Sequence, residues 1–155
     1  MATRSNICLK LRKEDIGKVK HFNVNMLPKN KDYDSSYESS IEDVKLDCEY
    51  LQIYHHWDGY PSSLGETLLN YFNDYDTILN LLLGGDASSI NEQIIIQYAS
   101  SRNEDWEFTQ PKKYNSPKQW EEYLYLFKNG RWYVTSNKGI TWYTLKQYRK
   151  KFPNE

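Results

Sequence analysis

Hydrophobic and polar residues alternate in several short runs of this chain, which is the pattern of β-strands. In "NICLKLRK", apolar Ile7, Leu9 and Leu11 alternate with other residues and predict a half-buried first strand. The run "CEYLQIYHHW" alternates in the same way and predicts a second strand, and the three isoleucines of "EQIIIQYAS" predict a buried one. In "EEYLYLFKNGRWYVTS", two alternating runs flank Asn129-Gly130, the pair favoured in type I′ turns, so this segment is predicted to be a β-hairpin.

Apolar residues at helical spacing follow the second predicted strand. Ser63 and Glu66 form a capping-box pattern after Pro61, which predicts the start of a helix. A second helix is predicted from about 75 to 83, ended by two glycines, and a short helix in "TWYTLKQYRKKF" is expected to place Trp142 or Leu145 in the core. The segments "GGDASSINE" and "RNEDWEFTQPKKYNSPK" are predicted to be a turn and a loop.

Together these elements predict an α+β fold with a small antiparallel sheet, helices packed on one face of it and a β-hairpin in the C-terminal half. The length of 155 residues fits a single domain, residues 1–155. From about residue 14 to 47 the chain is polar, rich in serine and aspartate and without sustained periodicity. We expect this segment to be a polar insertion in the domain.

Composition narrows the classes of function. Twenty basic and 21 acidic side chains give a net charge of −1, which argues against general nucleic-acid binding. No apolar run approaches the roughly 20 residues of a membrane span, so no membrane association is expected. Cys8 and Cys48 have no metal-type spacing, and no signal-peptide pattern occurs, which favours the cytoplasm. The 14 tyrosines and five tryptophans suit interfaces and ligand pockets as well as cores.

Chemically able side chains concentrate in "YHHWDGYPSSLGETLL", residues 54–69, between the second strand and the first helix. His55 and His56 are expected on opposite faces if the strand continues through them. An anion would be favoured at the start of the helix, with Trp57 and Tyr60 as a stacking wall. The predicted binding residues, for a partner protein or a small anionic, nucleotide-like ligand, are His56, Trp57, Asp58, Tyr60, Asp86, Ser88 and Ser89.

An alternative hypothesis is a small hydrolase or nuclease in which Asp58 orients His56, with Asp86 brought close by the fold. No complete catalytic motif accompanies this pair, and an Asp-Gly turn in which Asp58 bonds backbone amides and Gly59 adopts positive φ explains the same residues. The loop also offers too few donors for a zinc site. No cofactor or metal is therefore predicted, and binding is favoured over catalysis.

Four blocks of the chain resemble an uncharacterised family of small phage and prophage proteins with a His-Trp-Asp-Gly-Tyr-Pro block. They are "MATRS", "HWDGYPSSLGETLL", "GGDASSINE" and "EEYLYLFKNGRWYV". The block falls on residues 56–61 and a Gly-Asp-x-Ser-Ser turn on residues 85–89. The chain departs from the family in the added residues 14–47 and in His55, where relatives often have cysteine. The resemblance implies a phage-like origin and a shared loop but no reaction. By analogy with the proteins that phages use to block or divert host machinery, including defence systems, we expect an accessory protein that binds a host protein or a small signalling nucleotide in the bacterial host cytoplasm.

Overall fold

The computed structural model describes residues 3–28, 32–34 and 38–155 of the chain. Within these residues the protein has one nine-stranded sheet, one two-stranded sheet and five α-helices. The strands are β1 (Ser5–Lys10), β2 (Val19–Lys20), β3 (Asp32–Asp34), β4 (Val44–Lys45), β5 (Tyr50–His55), β6 (Ala87–Ile90), β7 (Ile94–Gln97), β8 (Lys112–Tyr114), β9 (Tyr123–Lys128), β10 (Arg131–Thr135) and β11 (Tyr143–Thr144). The helices are α1 (Glu66–Tyr71), α2 (Tyr75–Leu83), α3 (Tyr98–Arg102), α4 (Trp106–Thr109) and α5 (Leu145–Lys151).

The large sheet is mixed, with the strand order β11-β10-β9-β1-β5-β6-β7-β3. β8 and β6 pair with the same edge of β5. β8 pairs with residues 50–52, and β6 pairs with His55. The pairs β1–β9, β5–β6 and β3–β7 are parallel, and the remaining pairs of this sheet are antiparallel. The prediction of a mixed helix and strand fold is confirmed, whereas the small antiparallel sheet is wrong. Alternation within a run predicts a strand but carries no information about a partner distant in sequence.

β1 lies in the middle of this sheet and is buried on both faces. Its residues Ile7 and Leu9 belong to the main core, whereas Cys8 packs with Leu124 and Leu126 in a second, smaller cluster. The second face is covered in part by the segment before β9, whose Trp120 and Glu121 amides donate to Asn6 Oδ1 at 2.9 and 3.1 Å. The first strand was correctly predicted, but its half-buried character was wrong because a loop closes over its second face.

The helices with a clear sequence signal form where they were predicted. α2 spans 75 to 83 as expected, and Asp74 caps it by accepting a hydrogen bond from the Thr77 amide at 2.9 Å. α5 places Leu145 in the core with no exposed surface, while Trp142 remains 36% exposed. α2 contacts β1 and β5, and α5 contacts β10. Among the described residues, none of the helices has the length and apolar character needed to cross a membrane.

The predicted hairpin is confirmed as β9 and β10. Asn129 and Gly130 both have positive φ, 53° and 76°, as a type I′ turn requires. The Trp132 indole donates a hydrogen bond to the Phe72 carbonyl at 2.8 Å, which connects the hairpin to the end of α1. The hairpin is therefore held by contacts across the core as well as by its own turn.

Two segments predicted to be irregular contain regular structure. Four residues of the predicted turn "GGDASSINE", namely "ASSI", form β6, and the predicted loop after residue 101 contains α4 and β8. α3 also follows β7 directly, with no intervening loop. These elements have three to five residues and few apolar ones, so they form through pairing and packing rather than through local preference.

The polar segment from about 14 to 47 takes part in the core. Its described residues include β2, β3 and β4. Five of its apolar side chains are buried in the main cluster: Phe22, Leu27, Ile41, Val44 and Leu46. Residues 29–31 and 35–37 of the proposed insertion lie outside the described residues. Although this segment is mostly polar, its scattered apolar residues pack in the core and attach it to the rest of the protein.

Candidate functional site

The corner after β5 begins with two histidines that point to opposite faces of the sheet, as predicted. His55 is 1% exposed, and its Nε2 accepts a hydrogen bond from the Ile90 amide at 3.1 Å. Its Nδ1 lies 3.5 Å from Ser5 Oγ. Burial, with a smaller contribution from His56, lowers the pKa of His55 to about 3. His55 is therefore a neutral structural histidine that ties β6 to the β1–β5 pair.

His56 lies on the other face, in a chain of hydrogen bonds. Arg102 Nη2 is 2.7 Å from His56 Nε2, and the Tyr54 hydroxyl is 2.6 Å from Nδ1. Because a guanidinium only donates, Nε2 is the acceptor and the ring proton lies on Nδ1, which donates to Tyr54. Burial and the charges of Arg102 and Arg4 lower the pKa of His56. A neutral His56 therefore holds the Arg102 guanidinium in place.

Aromatic rings surround this hydrogen-bonded pair. The Trp57 ring meets the His56 imidazole edge to face at 4.6 Å between centroids, and the Tyr98 ring lies 5.7 Å from it. Tyr98 also packs edge to face against Tyr54 and lies 5.7 Å from the Arg102 guanidinium carbon. We call these five residues, Tyr54, His56, Trp57, Tyr98 and Arg102, the His56 cluster. Trp57 is 45% exposed and Arg102 is exposed, so the cluster presents an indole and a cation to solvent.

Within residues 3–28, 32–34 and 38–155, the positive charge of the cluster has no acidic partner in close contact. Among the described residues, no carboxylate lies within 4.0 Å of the Arg102 guanidinium. Arg4 adds a second positive charge that acts on both His56 and Tyr54, whereas Glu121 acts on Tyr54 with the opposite sign. The geometry therefore suits a negatively charged group next to an apolar or aromatic one.

Asp86 supports the cluster from inside the protein. Its Oδ1 accepts the Tyr54 amide at 2.9 Å, and its backbone carbonyl accepts the Tyr98 amide at 2.9 Å. Burial raises the pKa of Asp86 to about 7, against the opposing effects of the Tyr54 hydrogen bond and Lys112. The Asp86 side chain is buried and fixes β5 at Tyr54, and the Asp86 backbone fixes the start of α3 at Tyr98.

The two serines of the predicted site have different positions. Ser88 is buried, its hydroxyl contacts the Ser101 hydroxyl, and its carbonyl accepts the Trp57 amide at 2.9 Å. Ser89 is partly buried and its hydroxyl accepts from Asn91 Nδ2 at 3.4 Å. Ser88 therefore adjoins the cluster, whereas Ser89 lies in β6 opposite Ile96 of β7 and contacts the β6–β7 connection through Asn91.

Asp58 and Gly59 differ from their predicted roles in the turn. The positive φ, 54°, belongs to Asp58, whose side chain is exposed. Gly59 is required for space, because a Cβ atom there would lie 2.8 Å from the Thr3 carbonyl oxygen. Both ring nitrogens of His56 are bonded to Tyr54 and Arg102, so the His56–Asp58 pair of the catalytic hypothesis is not formed.

The predicted capping box at Ser63 is not formed. The chain enters α1 through a π-helical turn, Pro61–Gly65, whose first-turn amides of Ser63 and Gly65 donate to the Tyr60 carbonyl at 3.0 and 3.2 Å. Glu66 instead accepts a hydrogen bond from Arg149 Nε at 2.7 Å. The helix start is therefore not the anion site. Tyr60, 37% exposed, is not among the rings found in contact with His56 within the described residues.

Three members of the cluster, Tyr54, Tyr98 and Arg102, were not among the predicted binding residues. Tyr54 lies near the end of β5, and His56 follows the last residue of that strand, so the shared face could have been inferred from alternation continued by one residue. Arg102 carried no such signal, because α3 reaches the site through its packing on β6 and β7. The cation that defines the chemistry of the site thus depends on tertiary structure.

In the part of the chain that the structure describes, no group of three or more His, Cys, Asp or Glu side chains is placed to hold a metal ion. Comparisons with protein-family models, with curated proteins and with solved structures found no match. The functional argument therefore rests on the geometry of the His56 cluster and on the sequence blocks.

Proposed function

We propose that this protein is a phage-type accessory protein that works by binding, and that the His56 cluster receives a small anionic, nucleotide-like ligand. The observation that carries the proposal is the Arg102 guanidinium, fixed at 2.7 Å by neutral His56 beside the exposed Trp57 ring. Arg102 would pair with phosphate oxygens, and Trp57 would stack on a base. The phage-type role, in the cytoplasm of a bacterial host and including counter-defence, is supported by the sequence blocks alone.

A host protein is the other partner compatible with this surface. Exposed tryptophan and arginine side chains are common at the centre of protein interfaces. The small ligand has the stronger support, because the cation and the exposed ring adjoin each other around one imidazole rather than spread over a flat surface. The hydrolase or nuclease hypothesis has less support, since His56 has a lowered pKa and both of its nitrogens are engaged.

The proposal is tested by comparing the native and denatured masses of the protein purified from bacterial cytoplasm. We expect the native protein to carry an additional few hundred daltons, or to acquire it on incubation with a panel of nucleoside monophosphates and cyclic dinucleotides. Arg102→Gln and Trp57→Leu are expected to lose this mass. Trp142→Leu is the matched control, because Trp142 is also partly exposed but lies outside the His56 cluster.

Two results would contradict the small-ligand proposal. One is a wild-type protein that stays free of ligand throughout the panel. The other is equal retention of ligand by the wild type and Arg102→Gln. Capture of a bacterial protein by the wild type and not by Trp57→Leu would instead support a host protein as the partner.

A further inference from the structure

A second site lies at the opposite end of β1 from the His56 cluster. Ser5, at the start of β1, pairs with His55, whereas Lys10, at its end, borders a groove under the β9–β10 turn. The groove consists of two adjoining depressions of about 450 and 360 Å³ that share Asn73, Phe127 and Gly130. Its walls come from the end of β1, the α1–α2 connection, the hairpin and the start of α5. Its volume lies in the range of small-ligand sites.

The groove is strongly basic although the whole chain has a net charge of −1. Five basic residues border it, namely Lys10, Arg12, Lys128, Arg131 and Lys146. Asp74 is the one acidic residue on this border in the described part of the chain, so five positive and one negative charge leave a surplus of four. We call these six residues and the space between them the basic groove.

The few acidic groups near the basic groove do little to neutralise it. The Asp74 carboxylate is occupied by the Thr77 amide and hydroxyl, at 2.9 and 2.8 Å. Arg12 lies 4.0 Å from Asp76, a long contact between two exposed side chains, and its guanidinium stacks 4.1 Å from the centre of the Tyr75 ring. Among the described residues, no carboxylate lies within 4.0 Å of the terminal nitrogens of Lys128, Arg131 or Lys146.

We propose that the basic groove binds a compact polyphosphate, either inorganic or the phosphate chain of a nucleoside triphosphate. Such a chain carries roughly four negative charges near neutral pH, which matches the surplus. Arginine offers paired donors to phosphate oxygens, and lysine adds a mobile point charge. Each depression alone has a surplus of two positive charges, so a ligand with four negative charges spans both of them. The basic residues border this space from separate elements instead of forming the continuous track that a long strand of nucleic acid requires.

The groove could not be recognised in the sequence. Its basic residues come from β1, the hairpin and α5, which are distant along the chain. Of the basic residues in the C-terminal run "LKQYRKK", only Lys146 is on the border of the groove, within the described residues. The neighbouring Lys150 is exposed on the same helix and has no part in either depression.

The difference in position between Lys146 and Lys150 provides a matched test of the proposal. Binding of inorganic tripolyphosphate to the full-length protein would be measured by isothermal titration calorimetry at constant ionic strength, for the wild type, Lys146→Gln, Lys128→Gln and Lys150→Gln. We expect the first two variants to bind about tenfold more weakly, the effect of one lost charge-assisted contact, and Lys150→Gln to stay within about twofold of the wild type. Circular dichroism of each variant verifies that the fold is retained.

The source of the phosphate chain follows from the same titration with a nucleoside triphosphate. Tighter binding than that of tripolyphosphate, with the same loss in Lys146→Gln, assigns the site to a nucleotide, and equal binding assigns it to the phosphates alone. The site is separate from the His56 cluster, so Lys146→Gln is expected to weaken tripolyphosphate binding by the same factor in the wild type and in Arg102→Gln. Failure of the ligand at the His56 cluster would leave this result unchanged.

Three results would overturn the proposal. The first is no tripolyphosphate binding by the wild type at millimolar concentration. The second is an equal loss in Lys146→Gln and Lys150→Gln, which would indicate diffuse surface charge. The third is displacement of tripolyphosphate by a 20-nucleotide single-stranded DNA that binds more tightly and with steep salt dependence, which would make the groove part of a nucleic-acid track.

Discussion

Gly59 lies where the corner after β5 passes closest to the start of the chain. Its amide donates to the Thr3 carbonyl at 2.8 Å, and its own carbonyl accepts a hydrogen bond from the buried Tyr125 hydroxyl at 2.6 Å. A methyl group at this position would meet Thr3 O at 2.8 Å and Ser5 Oγ at 2.7 Å. The absence of a side chain at Gly59 therefore lets the corner that carries Trp57 contact the first strand.

Gly59→Ala is expected to lower the free energy of unfolding by about 1–3 kcal/mol, because backbone as well as side chain must shift to admit the methyl group. Urea denaturation followed by tryptophan fluorescence measures this loss. Gly65→Ala is the control: its Cβ would lie 3.1 Å from a terminal methyl of Leu145, which can adjust. A Gly59→Ala protein as stable as Gly65→Ala would show that the close contact with Thr3 is not a constraint.

At the scale of elements, the β9–β10 hairpin depends on a turn whose requirement is purely conformational. Gly130 has φ of 76°, and a Cβ added there would have no atom within 4 Å. A substitution of Gly130 therefore lowers stability through backbone strain alone. Asn129, at φ 53°, occupies the other turn position, where glycine is also compatible.

We expect Gly130→Ala to destabilise the protein by about 1 kcal/mol through left-handed backbone strain. Asn129→Gly is expected to change stability by less than about 0.5 kcal/mol, because a type I′ turn accepts glycine there. Chemical denaturation of both variants beside the wild type makes the comparison. If Gly130→Ala unfolds at the same denaturant concentration as Asn129→Gly, the turn geometry described for this hairpin is wrong.

Elements with a signal in their own residues could be predicted from the sequence, and elements without such a signal could not. The hairpin and α2 have their own signals, an Asn-Gly turn and apolar residues at helical spacing, and both were found where expected. β6 has two serines and follows two glycines, so its local pattern indicates a turn. It becomes a strand because β5 and β7 pair with it on either side. Such an element is specified by its neighbours.

At the scale of the whole molecule, two buried groups give stability opposing dependences on pH. Asp86 has a pKa raised to about 7, so its contribution is fully present below about 3.9, the ordinary unfolded value, and is lost as pH rises through 7. His55 has a pKa lowered to about 3, so its contribution is full above about 6.5 and is lost as pH falls toward 3. Between pH 4 and 6.5, a rise in pH therefore lowers the contribution of Asp86 to stability and raises that of His55.

Replacing Asp86 by asparagine keeps an oxygen for the Tyr54 amide. It removes the ionisable carboxyl group and with it the fall in stability that Asp86 causes as pH rises. The variant is expected to gain stability relative to the wild type as pH rises from 4 to 6.5, by at most about 1.4 kcal/mol per pH unit for one group. Free energies of unfolding from urea titrations at pH 4.0, 5.0, 6.0 and 7.0 give the difference between the two proteins. Parallel pH profiles would exclude the raised pKa of Asp86 as a source of pH dependence.

In the candidate site, residues that are adjacent in the sequence were predicted, whereas residues that the whole fold brings together were not. His56 and Trp57 were identified because they are adjacent in an unusual block. Arg102 and the basic groove were missed, since both depend on segments brought together by the mixed sheet. Sequence patterns locate the corner, whereas the charges around it and at the other end of β1 are set by topology.

The central position of β1 has a consequence for how the chain is made. β1 is synthesised well before its parallel partner β9, in which Tyr123 pairs with Ser5. Until β9 is synthesised, this edge of β1 lacks its partner strand, and Ile7 and Leu9 lack their neighbours Tyr125 and Phe127. Contacts this distant in sequence slow folding and expose unfinished strands to aggregation. A ribosome-bound chain that stops before residue 123 is therefore expected to depend on chaperones more than the released protein does.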